Sequence, residues 1–199
     1  MLYSLYEAQH TALTPYRYLA ELTRGWYGNP FSPFHYHPFA SRLAAASDLF
    51  LRVTGRYEKP AWGIPGIEVY REKPFCKLIH FKQDAAGKKK VLLVAPLSGH
   101  HATLLRDTVK SLLAEHDVWV TDWIDARMVP LSAGPFHLAD YVGYIREWIE
   151  LLSPDLHVIS VCQPTVPVLA AASLLASHGE TLPRALVMMG GPIDARRSP

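Results

Sequence analysis

Leu156-His-Val-Ile-Ser-Val-Cys162-Gln-Pro-Thr-Val-Pro-Val-Leu169 decides how the chain folds. Leu156 to Val161 is a short, apolar, β-branched run, the pattern of a strand buried on both faces. From Pro164 to Ser177 Ala and Leu dominate, and Gly179 offers a stop, so this part reads as a buried helix. Between them lies Ser160-Val-Cys162-Gln-Pro164, of the form small–x–nucleophile–x–small, which is the pattern of a nucleophile elbow with Cys in place of Ser. Such a turn exposes the nucleophile, sets the next backbone N–H beside a reacting carbonyl and aims the positive end of the following helix at the sulfur. Ser160 and Pro164 stand where glycines are usual. Pro in a first helical turn is harmless, because its missing N–H would have had no partner there; Ser160 is small but more crowded than Gly. On spacing alone Cys162 is as readily an inert buried thiol as a catalytic one, since free Cys is among the most buried residue types.

The chain has 199 residues, room for one sizeable core or a core and a small cap. Hydrophobic residues make up 49% and charged residues 19%, the balance of a globular protein. A net charge of +2 argues against a nucleic-acid partner, and Lys88-Lys89-Lys90, beside Ala85-Ala86-Gly87, reads as a solvated loop. Two cysteines, Cys76 and Cys162, make no disulfide framework and fit a reducing cytoplasm. Met1-Leu-Tyr-Ser-Leu-Tyr-Glu7 lacks the charged and apolar regions of a signal peptide, and no run of about 18 apolar residues suggests a membrane span.

Residues 1–66 form a region of their own, crowded with aromatics such as Tyr16, Tyr18, Trp26, Phe31, Phe34, Tyr36 and Phe39. Thr14-Pro15 reads as the start of a helix that carries Leu19, Leu22 and Trp26 and stops at Gly28-Asn29-Pro30. A second helix is expected from Pro38 to Val53, ending near Gly55, with a Pro-rich connection between the two. This is a helical arm or, on a sharper reading, an aromatic surface for an apolar polymeric substrate. His35 and His37 alternate as metal ligands do, but without a nearby Cys or carboxylate they read as loop residues.

Residues 67–199 switch to strands alternating with helices: an antiparallel pair at 67–71 and 75–81, strands at 90–96, 117–122, 156–161 and 185–189, and helices at 102–114, 138–152 and 164–177. That alternation implies a mostly parallel α/β sheet. Strand 90–96 ends in Pro96-Leu-Ser-Gly-His100, a tight turn at the same sheet edge as the elbow. A fold with an elbow draws its second oxyanion donor from a backbone N–H of that turn. Leu97 is the first candidate and Ser98 the second, paired with the N–H of Gln163; the bland reading is an ordinary strand–helix turn. Asp122-Trp-Ile-Asp-Ala-Arg127 ends at this edge too, its acids read as rim-shaping residues before catalytic ones.

Taken together, Val91-Leu-Leu-Val-Ala-Pro-Leu-Ser-Gly-His100, Thr103-Leu-Leu-Arg106, Val120-Thr-Asp-Trp-Ile-Asp-Ala-Arg-Met-Val-Pro130, Val161-Cys-Gln-Pro164 and Met189-Gly-Gly-Pro-Ile-Asp-Ala-Arg-Arg197 resemble the intracellular poly(3-hydroxybutyrate) depolymerases. Met1-Leu-Tyr-Ser-Leu-Tyr-Glu-Ala8 and Gly28-Asn-Pro-Phe31 are similar to that family's opening. The resemblance implies an α/β-hydrolase fold, hydrolysis of ester bonds in a stored polyester, and Cys162 as nucleophile. It implies no metal or organic cofactor, and places the protein in the cytoplasm at the surface of polyester granules, with granule or 3-hydroxyacyl oligomers as its partner. Two other readings stand beside it: a polyhydroxyalkanoate synthase-like acyltransferase and a non-catalytic polyester-binding module. The family's acid and base follow the elbow in chain order, and here the only His after Cys162 is His178, at the far end of the elbow helix. The expectation is therefore a truncated core, lacking its last strands and the triad's acid and base, whose apolar final strand invites self-association.

Overall fold

The computed structural model describes residues 2–55, 59–83, 87–97, 101–194 and 196. The chain divides into two compact units, residues 1–58 and 59–199.

In the first unit, α1 spans Leu2–Gly28 and α2 Ala40–Thr54, joined through a 3₁₀ turn at Pro33–Tyr36. The sequence places the first helix start at Thr14-Pro15, but α1 runs through Pro15 from Leu2. An interior Pro costs a helix about 3 kcal/mol. Good helix formers on both sides of it and packing against α2 offset that cost. Ala20, Ala40 and Leu51 are buried in this unit, and the Arg17 guanidinium donates to Thr54 Oγ1 at 3.1 Å. Asp48 on α2 is paired with Arg24 of α1 and with Arg52. His35 lies 3.2 Å from the Tyr27 carbonyl and His37 accepts the Phe39 N–H, so both rings are used locally.

The second unit is a six-stranded sheet of order β1-β2-β4-β3-β5-β6. Its strands are β1 Ile67–Glu72, β2 Cys76–Phe81, β3 Lys89–Val94, β4 His116–Trp123, β5 Leu156–Val161 and β6 Ala185–Met189. β1, β2 and β4 pair antiparallel, while β4, β3, β5 and β6 run parallel. The mostly parallel α/β sheet expected from the alternation is the architecture found. Residues 59–66, read from the sequence as the end of the arm, supply Trp62, which is buried edge-on against Phe81.

The helices divide between the faces. A 3₁₀ turn at Ala102–Leu105 and α3, Arg106–Leu113, cover one face, with Leu105, Val109 and Leu113 on Leu93, Val118 and Val120. Helices α4, Leu138–Leu152, and α5, Thr165–Ser177, cover the other, with Ile145, Trp148, Val168 and Leu175 on Leu92, Val94 and Val158. β3 is thus buried on both faces, as its unbroken run Val91–Val94 requires. α3 follows β3 onto one face and α5 follows β5 onto the other, so the chain changes sides between these neighbouring strands. That is the topological switch point where open α/β sheets place their ligands.

The lysine cluster is not a solvated loop. Lys89 and Lys90 begin β3, the Lys88 ammonium donates to Leu113 O and the Lys90 ammonium to Leu152 O, both at 3.1 Å. These are the last carbonyls of α3 and α4. The charges face helix C-termini, where backbone carbonyls lack partners and carry partial negative charge.

Candidate active site

The site begins with a register. β3 and β5 pair in parallel with Val94 opposite Ser160, so Leu97 and Gln163 each stand three residues beyond that pair, side by side at the switch point. Between β5 and α5 the chain reverses within a few residues. Cys162 takes a φ of 67°, a left-handed backbone conformation that a side chain bearing Cβ enters only under strain. Cys162 is exposed while Cys76 is buried. Spacing alone allows Cys162 to be a silent core thiol or a presented nucleophile, and in the fold the residue is exposed.

Several hydrogen bonds hold the turn. The Cys162 N–H donates to Met189 O at 2.7 Å, tying the elbow to the end of β6. The Thr165 N–H and hydroxyl donate to Cys162 O at 3.2 and 2.9 Å. Ser160 is fully buried, and its hydroxyl donates to Val187 O at 3.3 Å. Pro164 sits at the N-cap of α5, where its missing N–H costs nothing. Gly191 packs so closely on this helix start that a Cβ there would lie 1.7 Å from Thr165 Oγ1. The pair Gly190-Gly191 after a strand was the available signal for that close approach.

Of the two oxyanion candidates on the β3 turn, Leu97 lies beside the elbow, and its N–H donates to Gln163 Oε1 at 3.2 Å. Ser98, with Gly99 and His100, lies outside the described residues. The Gln163 side chain is thus part of the site, which spacing alone had no means to show. Spacing points to its backbone N–H, not to its carboxamide.

The remaining singled-out groups lie elsewhere. Asp122 is buried near the end of β4, its carboxylate paired with Lys59. Cys76 on β2 is buried, which pushes its thiol well above the usual range, with the Asp122 charge adding to the shift. It is therefore held as a neutral thiol. His178 caps the C-terminal end of α5, opposite the end that carries Cys162.

Comparison with solved structures meets this geometry at the level of the fold. A protein assigned as an esterase from Staphylococcus aureus superposes with a TM-score of 0.50 at 12% identity, covering 74% of this chain and 50% of that one. The ester-hydrolase EH1AB1 from the metagenome of Lake Arreo, solved with a bipyridine phosphonate derivative, gives 0.50 at 14% identity, covering 80% of this chain and 54% of that one. The fold is that of the α/β-hydrolases. The chain spans about half the length of these two structures. No family model matches the sequence, and no curated protein matches it. No helix among the described residues is long and apolar enough to cross a membrane.

Proposed function

We propose that the chain is the nucleophile-bearing part of an intracellular polyhydroxyalkanoate depolymerase, cleaving ester bonds of a stored 3-hydroxyacyl polyester through Cys162. The observation that carries this reading is Cys162 itself: exposed, at positive φ, on the turn between β5 and α5 at the switch point. The polyester specificity rests on the sequence blocks around Val91–His100, Val120–Pro130 and Cys162-Gln-Pro164, whose likeness to the depolymerases covers the chain. Exposed Trp26, Phe31, Tyr36 and Phe39 on the first unit suit an apolar polymer surface.

In the proposed reaction a base removes the Cys162 thiol proton, and the thiolate attacks the ester carbonyl carbon. The N–H groups of Gln163 and Leu97 receive the charge that develops on the carbonyl oxygen. The C–O bond breaks as the S–C bond is kept, and the departing alkoxide end of the polymer takes a proton. Water then cleaves the thioester, releasing the acid and the thiol. His178, at the wrong end of α5, is not assigned the base, and the reading assigns no acid or base within residues 1–199.

The test is to present residues 1–199 with amorphous poly(3-hydroxybutyrate), a short 3-hydroxybutyrate oligomer and 3-hydroxybutyryl-CoA. No turnover of polymer or oligomer, with a single acylation of Cys162 by the activated ester p-nitrophenyl 3-hydroxybutyrate that is absent in Cys162→Ala, is the expected result. Consumption of the CoA thioester with polymer growth would replace the reading with a synthase-like acyltransferase. Polymer binding with an unreactive Cys162 would replace it with a binding module. Multiple turnovers lost on Cys162→Ala would place the base inside this sequence.

A further inference from the structure

We propose that the Gln163 carboxamide is the resting occupant of the oxyanion site and sets how readily an ester enters it, a step that rests on the reading of Cys162 as nucleophile. Gln163 Oε1 accepts the Leu97 N–H at 3.2 Å across a gap of 66 residues. The parallel register of β3 and β5 makes this contact possible, because both turns leave the sheet at the same height. A carboxamide oxygen is an sp² carbonyl acceptor, the same kind of atom that an ester presents to an oxyanion donor. The protein therefore fills one N–H of its own site with an imitation of the substrate's carbonyl.

The consequence is a competition that weighs equally on the bound ester and on the transition state, because the carboxamide leaves the Leu97 N–H before either forms its bond. An incoming neutral ester carbonyl offers the Leu97 N–H no better bond than the carboxamide does. Displacing a neutral amide acceptor shifts a binding equilibrium by about two- to tenfold. Once the thiolate adds and the oxygen becomes anionic, its bond to the N–H is charge-assisted, a gain that is the same whether or not a displaced carboxamide stands by. The side chain thus weakens ester binding while leaving the rate of the saturated complex alone. The opposite role, a tether that holds the β3 turn in place for catalysis, would appear in the saturated rate.

The experiment measures single-turnover acylation of the 199-residue chain by p-nitrophenyl 3-hydroxybutyrate, following p-nitrophenolate release over a range of ester concentrations. Iodoacetamide alkylation of Cys162, a displacement of iodide that needs no oxyanion donor, normalises each variant for thiol exposure. Gln163→Ala is expected to lower the half-saturating ester concentration about two- to tenfold, with the saturated rate kept relative to alkylation. Gln163→Glu, of equal reach but with a charged acceptor, is expected to raise it. An unchanged or higher half-saturating concentration in Gln163→Ala, or a fall in its saturated rate, overturns the proposal, as does Gln163→Glu matching Gln163→Ala. Parent chain that releases no more p-nitrophenolate than Cys162→Ala sinks the nucleophile reading, and this proposal with it, before any Gln163 variant is compared.

Discussion

As the proposed nucleophile, Cys162 concentrates in one residue the conflict between stability and chemistry that an elbow would impose. Its φ of 67° costs a residue with a Cβ about 1 kcal/mol relative to glycine, which enters that region freely. The surrounding bonds from Cys162 N–H to Met189 O and from Thr165 to Cys162 O over-determine the conformation and hold it. If the strain is stored there, removing the thiol in two ways gives two stabilities. Cys162→Gly is expected to be more stable than Cys162→Ala by about 1 kcal/mol, less the greater unfolded-state freedom of glycine. Denaturant titration of the two variants measures the difference. A Gly variant less stable than the Ala variant by about 1 kcal/mol, the full cost of glycine's unfolded-state freedom, would mean that the turn is unstrained and the elbow assignment misplaced.

At the scale of elements, the lysines that open β3 show how a charge run acquires a structural task. Lys88 reaches the last residue of α3 and Lys90 the last residue of α4, and each ammonium meets a carbonyl at the helix C-terminus. Lys89, between them, is exposed. Lys90→Met keeps the aliphatic stem but loses the cation at the helix terminus and its hydrogen bond, and is expected to cost about 1 kcal/mol. Lys89→Met is expected to stay within about 0.5 kcal/mol of the parent. Thermal unfolding of the two variants side by side checks the assignment. A larger loss in Lys89→Met would return the cluster to a solvated surface with no capping role.

For the molecule as a whole, β6 is one of the two outer strands of the sheet and carries an exposed apolar run. β6 pairs with β5, and no other described strand flanks it. Val187, Met188 and Met189 on it are all exposed. An apolar edge with free N–H and C=O groups is a template for another chain. Self-association of residues 1–199 through β6 is therefore expected, and Val187→Lys, a charge of the kind natural edges use against pairing, is expected to reduce it. Sedimentation velocity over a concentration series measures this. A parent chain that stays monomeric, or a lysine variant that associates equally, would show that this edge is not the route.

The sequence by itself determined whatever is written over a contiguous stretch. Strand β5, the reversal at Cys162 and helix α5 were legible because an elbow is local: a buried strand, a small-residue turn and an Ala-rich helix follow one another within twenty-odd positions. The same holds for the alternation that yields a mostly parallel sheet, since periodicity within each segment sets which faces it buries. Pro15 misled, because a helix-breaking residue was weighed without the partner helix that offsets its cost. The tertiary structure alone decided what depends on register and on packing between distant segments. Leu97 meets the Gln163 carboxamide because β3 and β5 align Val94 with Ser160, and nothing within either segment encodes that alignment. Lys59 meets Asp122, and Lys88 and Lys90 meet helix ends, for the same reason. A residue's own type says which bonds it can make; only the assembled sheet brings the partner within the 3 Å or so over which a hydrogen bond acts.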